Sequence, residues 1–391
     1  MRLPPLFVAC TITFLVYLGA FMRLPIIPLY AQAQGATLTQ VGFITAAFML
    51  AASAVAIPFG LTSDRLGRRR LVLLGAFINA AVSFLLPFAG QPYLILAVYA
   101  LAGLGIAAYT PSIIAFVGDV SGSLSFGRAY GLYTTFMAVA MAVGPGFGGL
   151  IAGLAGFKGS FTLSGFIITA GLLFGLTAFP STKRKEAALP SARILQEFRL
   201  LFANRVALVC FVSAFCLTFT WGITPAFIPL YAKSIGLSVF AIGLLFTAQS
   251  TASAAIRLPF GTLSDRLGRR MPFMFLGLLT AASATLFLTS STNLPVLAAL
   301  MGLVGLAMGM TFLSASALLA ETTTQGGRGL AMGAYSTCFY AGMAASPALL
   351  GQVISAYGFQ PGFSIAAAVS YAGLSIALFL AGGVGFRKVV G

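Results

Sequence analysis

Apolar runs of about twenty residues, the length an α-helix needs to cross a bilayer, follow one another along almost the whole chain. Glycines, prolines and short clusters of arginine separate them. Only 7% of the residues are charged, against about a quarter in soluble domains, and this excludes an ordinary water-soluble fold. The runs lack the alternation of a membrane barrel, and a helix satisfies its own backbone in lipid. The expected fold class is an all-α polytopic membrane protein of twelve transmembrane helices. The spans read 6–31, 39–60, 71–89, 92–117, 129–153 and 160–180, then 205–231, 239–260, 272–290, 294–319, 330–356 and 362–383.

The 22 Lys and Arg outnumber the 6 Asp and Glu. They stand in clusters between spans, so the excess reads as a topology signal, and no nucleic-acid partner is expected. With the amino terminus placed in the cytoplasm, Arg2, Arg65, Arg68, Arg69, Arg70, Arg128, the central linker, Arg266, Arg269, Arg270, Arg328, Arg387 and Lys388 fall on one side. The other side keeps only Lys158 and Lys233. Both termini are therefore expected inside the cell. The first run continues to a full span with no small-residue cleavage site, so it reads as a transmembrane helix and not a cleaved signal. Cys10, Cys210, Cys216 and Cys338 all fall within apolar runs, and the chain has no histidine. Neither a disulfide nor a metal site is indicated. No nucleotide loop or nucleophile–base pair is visible, so no cofactor and no enzymatic activity is expected.

The chain is duplicated. Pro58-Phe59 leads into Gly60-Leu61-Thr62-Ser63-Asp64-Arg65-Leu66-Gly67-Arg68-Arg69-Arg70, and 201 residues later Pro259-Phe260 leads into Gly261-Thr262-Leu263-Ser264-Asp265-Arg266-Leu267-Gly268-Arg269-Arg270. Pro28-Leu29-Tyr30-Ala31 returns as Pro229-Leu230-Tyr231-Ala232, and Gly42 as Gly243. Further on the offset becomes 202, matching Asp119 with Glu321, Gly131 with Gly333, Tyr133 with Tyr335, Pro145 with Pro347 and Gly149 with Gly351. Two parallel, pseudo-symmetric six-helix bundles follow, residues 1–180 and 205–391, joined by a polar linker over 181–204. In the linker Ile194, Phe198, Leu201 and Phe202 recur at helical spacing, as in an interfacial helix. Secondary transporters use this plan, one half rocking against the other around a midplane site.

These stretches resemble the major facilitator superfamily along essentially the whole chain. Gly60 to Arg70 is similar to its signature loop G-x-L-a-D-R-x-G-R-R, with Thr62 where Leu is usual, and the later copy keeps that residue as Leu263. Leu18-Gly19 followed by Pro25-Ile26-Ile27-Pro28, and Gly131, Ala140 and Gly144-Pro145-Gly146-Phe147-Gly148-Gly149, resemble the twelve-helix drug:proton antiporters, with Ala140 replacing a glycine. The family's helix-four motif R-x-x-Q-G-x-G stands here as Tyr99-Ala100-Leu101-Ala102-Gly103-Leu104-Gly105. Its Arg, associated in the family with proton coupling, is absent. The resemblance implies a prokaryotic inner-membrane protein, working as a monomer in the lipid bilayer and exporting small amphiphilic or anionic molecules.

It also implies a gate. Gly60, Asp64, Arg65, Gly67, Arg68 and Arg69, completed by Asp119 and Arg128, would latch the cytoplasmic side. Gly261, Asp265, Arg266, Gly268, Arg269 and Arg270, with Glu321 and Arg328, would serve the second half. Gly60 and Gly67 are expected to permit the tight turn. Gly144, Pro145, Gly148 and Gly149 would form the helix-five motif, their bland role being small-residue packing between helices.

All six acids, Asp64, Asp119, Glu186, Glu197, Asp265 and Glu321, fall in loops or at helix ends. Three alternatives stay open: an acid such as Asp119 carries protons, coupling is to something else, or transport is uncoupled or driven by exchange. Arg23 falls inside span one. An arginine at bilayer depth costs about 2.5 to 3.5 kcal/mol on insertion scales, so Arg23 is the foremost substrate-facing charge. Tyr99, Tyr109, Tyr133, Trp221, Gln249, Tyr335 and Tyr340 complete the substrate-binding candidates, as packing residues or as the wall of an amphiphile pocket. An uncoupled uniporter, importer or lipid flippase is the second reading, and a non-transporting membrane receptor the third.

Overall fold

The computed structural model describes residues 4–120, 126–180, 201–267, 269–323 and 328–382, with the side chains of 56–57, 60–66, 126–127, 258, 261–262, 265, 320 and 328–329 excepted. Gly268, most of the 181–204 linker, and the side chains of Asp64, Arg65, Asp265 and Arg328 therefore lie outside the described residues.

Among the described residues every regular element is a helix. α1 (Pro5–Arg23) and α2 (Ile26–Ala33) share the first span. α3 (Leu38–Leu66), α4 (Arg68–Leu85) and α5 (Pro92–Val120) follow. α6 (Phe126–Ala178) is two helices meeting at Gly156, where φ is 72°. Only glycine adopts such an angle without a steric cost. Then come α7 (Arg205–Ser234), α8 (Val239–Leu267), α9 (Met271–Phe287), α10 (Leu294–Thr322), α11 (Arg328–Tyr357) and α12 (Phe359–Gly382).

Ten of these described helices are long and apolar enough to cross a membrane, and Met271–Phe287 is a shorter apolar one. The apolar stretch Arg128–Ala178 runs for 51 residues. At about 1.5 Å per residue that covers a hydrocarbon core of about 30 Å twice. The count agrees with twelve spans. Phe88, Leu154 and Phe379 are each more than three-quarters exposed, as side chains facing lipid would be.

The signature stretch differs from its expected form. It is not an eleven-residue loop, because α3 runs on through Leu66 and α4 begins at Arg68. Gly60 therefore lies in helical backbone. The whole reversal falls on Gly67, at φ 92°.

The chain divides into two compact units, one of Met1–Ala187 with Pro225–Thr251, the other of Ala188–Thr224 with Ala252–Gly391. In the first, α1 packs on α6, α3 on α5, and α4 on both α5 and α6. Its core gathers Ile12, Val16, Tyr109, Phe116, Tyr133, Ile168 and Phe179. In the second, α9 packs on α10 and α12, and α11 on α12. Its main core gathers Cys210, Phe211, Met274, Leu318 and Tyr335. Tyr133 and Tyr335, matched by the repeat, thus fill corresponding cores. Asn204 starts α7 as an N-cap, its Oδ1 accepting from Val206 N at 2.9 Å.

Small hydroxyls join paired helices in each unit. Ser164 Oγ on α6 donates to Gly19 O at 2.8 Å, and Ser83 Oγ lies 3.1 Å from it. In the second unit Ser370 on α12 donates to Cys216 O at 3.0 Å and pairs with Thr220 Oγ1 at 2.5 Å. Without water in the bilayer core, such contacts stand among the main cohesive terms available to membrane helices.

Candidate functional site

Span one cannot continue as a single helix. Pro25 and Pro28 carry no N–H, so the carbonyls of Phe21 and Leu24 lose their usual donors four residues on. Leu24 N–H turns back to Phe21 O at 3.2 Å, α1 stops at Arg23, and α2 restarts at Ile26. Interrupted membrane helices of this kind line substrate sites in transporters.

Arg23, the last residue before the break, is only 2% exposed. Its Nη2 donates to Asn79 Oδ1 at 2.9 Å and its Nη1 to the Asn79 carbonyl at 3.3 Å. The Nε donor is buried without a partner, and among the described residues no carboxylate pairs with this side chain. Asn79 Nδ2 donates to Gly75 O at 3.0 Å. The amide fits because Gly105 on α5 has no side chain: a Cβ there would lie 2.5 Å from Nδ2. Tyr99, at the start of the same motif, is buried and stacks on Phe48 with ring centroids 4.9 Å apart. Span one, Asn79 on α4 and the space left by Gly105 on α5 thus meet at one buried cation.

The helix-five motif presents two faces. Gly144 and Gly148, four residues apart, face α1: a Cβ at Gly144 would lie 2.8 Å from Phe21 Cβ, and one at Gly148 would collide with Met22 O. The motif therefore packs onto the turn that carries Arg23. Pro145 and Gly149 make the neighbouring face, within the first unit, against the start of α8. A Cβ at Gly149 would lie 2.6 Å from Val239 O, one at Gly243 would collide with Pro145 O, and Gly146 N–H donates to Thr247 Oγ1 at 3.2 Å. In the second unit the same place is filled in reverse: Ser346 replaces Gly144, and Gly222 on α7 yields the space, its own Cβ position being 3.1 Å from Ser346 Cβ.

At the arginine-rich helix ends Arg68 Nε meets Asp119 Oδ2 at 2.6 Å, and Arg270 Nη2 meets Glu321 Oε1 at 2.7 Å. Arg69 Nη2 donates to Leu176 O at 2.6 Å and so caps the end of α6. Arg128, Arg266 and Arg269 are exposed.

The remaining predicted residues are dispersed. Tyr109 donates to or accepts from Thr13 Oγ1 at 3.1 Å within the first core, and Tyr133 lies beside it with a buried, unpartnered hydroxyl. Tyr335 occupies the corresponding core, Tyr340 stands edge-on to Phe339, and Trp221 Nε1 and Gln249 Nε2 are buried donors without partners. Asn79, Phe48 and Thr247 were not legible as site residues. A lone carboxamide in an otherwise apolar span was the one available signal for Asn79.

The Major Facilitator Superfamily model matches residues 9–240 and 210–385. An uncharacterized MFS-type transporter of Methanocaldococcus jannaschii is 24% identical over 344 residues, 86% of this chain and 88% of its own length. Multidrug resistance protein MdtG of Proteus mirabilis is 28% identical over 274 residues, 65% of each chain. Among solved structures, a crystal structure of the nucleoside transporter NupG superposes with a TM-score of 0.83 at 15% identity, covering 96% of this chain and 99% of that one.

Proposed function

This chain belongs to the Major Facilitator Superfamily, and from that premise we propose that it is an efflux transporter, moving small amphiphilic or anionic compounds by alternating access between residues 1–180 and 205–391. Membership makes it a multi-pass membrane transporter. The likeness to a multidrug resistance protein supports export. The observation that carries the substrate reading is the buried cation at the span-one break: Arg23 keeps an unpartnered Nε and meets no carboxylate among the described residues. A buried, uncompensated guanidinium favours an anionic group on the molecule carried. The orientation proposed is the one with the arginine-rich helix ends in the cytoplasm of an inner membrane. There the pairs Arg68–Asp119 and Arg270–Glu321 act as a latch weak enough to break each cycle.

A second reading, transport without proton coupling, is favoured by the placement of the acids. Asp119 and Glu321 lie in the last turns of α5 and α10, and no acid occurs in the middle of any span. Proteoliposomes loaded with a panel of anionic, neutral and cationic amphiphiles, with and without an imposed pH gradient, test both. Export of amphiphiles is expected, with rates insensitive to the gradient under the second reading. A panel that never moves would refute the transporter reading for these compounds, and rates that follow the gradient would restore proton antiport.

A further inference from the structure

Gly131 stands near the start of α6, and Gly333, its match in the repeat, near the start of α11. A Cβ at either would meet nothing within 4 Å, and neither has a positive φ. Close packing explains Gly144 and Gly148, and a left-handed turn explains Gly156. Neither explanation reaches Gly131 or Gly333. Glycine weakens a helix relative to alanine, and both helices carry that weakness at the same place.

The carbonyls at this weak point each have a second donor. Thr135 Oγ1 donates to Gly131 O at 2.9 Å and Thr134 Oγ1 to Tyr130 O at 3.0 Å. In the other copy Thr337 Oγ1 donates to Gly333 O at 3.0 Å and Ser336 Oγ to Met332 O at 2.8 Å. A hydroxyl bonded four residues back competes with the helix's own N–H for the same oxygen and favours a bend. When the backbone bond opens, the hydroxyl keeps the carbonyl satisfied, which lowers the cost of opening where water is scarce. Between glycine and threonine lies a tyrosine, Tyr133 or Tyr335, no more than 2% exposed, its hydroxyl buried without a partner. An unpaired buried hydroxyl raises the free energy of the conformer that holds it. Each helix thus combines a weak backbone point, a substitute donor and a group left unsatisfied in the straight form.

Resting on the alternating-access reading, we infer that α6 and α11 are hinged at Gly131 and Gly333. Residues 126–130 and 328–332 swing as short levers, and each half opens or closes its own arginine-rich end by bending. The glycine absorbs the backbone change, as hinge residues do, and the tyrosine hydroxyl gains a partner in the bent form. Each lever begins seven residues after the acid of an ion pair, Phe126 after Asp119 and Arg328 after Glu321. That short connection ties the bend to the latch.

The test uses the full chain in lipid nanodiscs and reads amide hydrogen exchange by mass spectrometry over residues 133–137 and 335–339, whose N–H groups lose their helical partners on bending. Gly131→Ala should slow exchange of the first stretch about fivefold. Thr135→Val should slow it too, and Thr135→Ser, which keeps the hydroxyl, should hold the wild-type rate. Gly333→Ala should repeat the effect in the second stretch. Gly153→Ala is the control: its Cβ also meets nothing within 4 Å, so it gains the same helix propensity away from the hinge and should leave both stretches unchanged. In proteoliposomes, efflux of ethidium and of naphthalene-1-sulfonate, a strong-acid amphiphile that stays anionic, should fall about fivefold in Gly131→Ala and hold the wild-type rate in Gly153→Ala. The Thr135 pair decides the matter should Gly131→Ala fail to fold. Exchange that Gly131→Ala leaves unchanged, or that Gly153→Ala slows equally, overturns the hinge, and so does full-speed efflux in Gly131→Ala. If neither compound moves in the wild type, the transporter reading fails for these compounds and exchange alone decides the hinge.

Discussion

Arg68 Nε lies 2.6 Å from Asp119 Oδ2, joining the first residue of α4 to the last turn of α5. Arg270 and Glu321 repeat the relation 202 residues later at 2.7 Å. Both pairs span 51 residues, but their exposure differs: Asp119 is 25% exposed at its side chain and Glu321 is 52%. A better-shielded ion pair is less screened by solvent.

Asp119→Asn should therefore destabilise the protein by about 1 kcal/mol, and Glu321→Gln by under about 0.5 kcal/mol. Chemical denaturation in detergent, followed for each single variant and for the Arg68→Gln/Asp119→Asn double variant, measures both losses. A latch role adds a second consequence, because about 1 kcal/mol shifts a two-state population roughly fivefold. Spin-label distances across the arginine-rich helix ends should broaden toward longer values in Asp119→Asn. Equal losses in both halves with an unchanged distance distribution would contradict the assignment.

The spans and their duplication were legible because both are one-dimensional signals: apolar run length, and identity at a fixed offset. The break in span one was not read from the sequence, where 6–31 stood as one continuous span, although Pro25 and Pro28 were its signal. The gate partners were not fully legible. In the register of the signature stretch Arg269 corresponds to Arg68, yet Arg270 makes the second pair, because the offset changes from 201 to 202 before Glu321 and the 51-residue separation is what the helices retain. Arg328 was expected beside Glu321, and its side chain lies outside the described residues. Asn79 escaped notice because its task depends on Gly75, Gly105 and Arg23 meeting across three spans, and no spacing along the chain encodes that meeting.

The helix-five glycines separate by what surrounds them, and this gives a graded prediction. A methyl group at Gly148 meets Met22 backbone, and one at Gly149 meets Val239 O at 2.6 Å, whereas at Gly131 and Gly153 it meets nothing within 4 Å. Backbone atoms cannot rotate aside as a flexible side chain can. Gly148→Ala and Gly149→Ala should each cost about 1–3 kcal/mol of stability through overpacking. Gly131→Ala should be neutral or stabilising by up to about 1 kcal/mol, since alanine is the better helix former. Thermal unfolding of the three single variants reads the order directly. A loss at Gly131 as large as at Gly148 would show that helix packing does not set the motif.

The Arg23–Asn79 pair separates function from stability. Removing the amide alone by Asn79→Ala leaves the buried guanidinium short of its 2.9 Å partner, a loss of about 1.5–3 kcal/mol for a hydrogen bond to a charged group. Removing both, as Arg23→Met with Asn79→Leu, takes the charge out of the interior together with its holder. Apolar replacement of a complete buried polar set is commonly neutral or stabilising by about 1–4 kcal/mol. The double variant should therefore unfold at a temperature equal to or above that of the wild type, while Asn79→Ala unfolds below it. Calorimetric titration with naphthalene-1-sulfonate should run the other way: Asn79→Ala keeps the cation and retains measurable affinity, and the stable double variant loses it. That inversion is the signature of a charge kept for a ligand. A double variant that is both less stable than Asn79→Ala and unchanged in anion affinity would instead make Arg23 a structural tie between span one and α4.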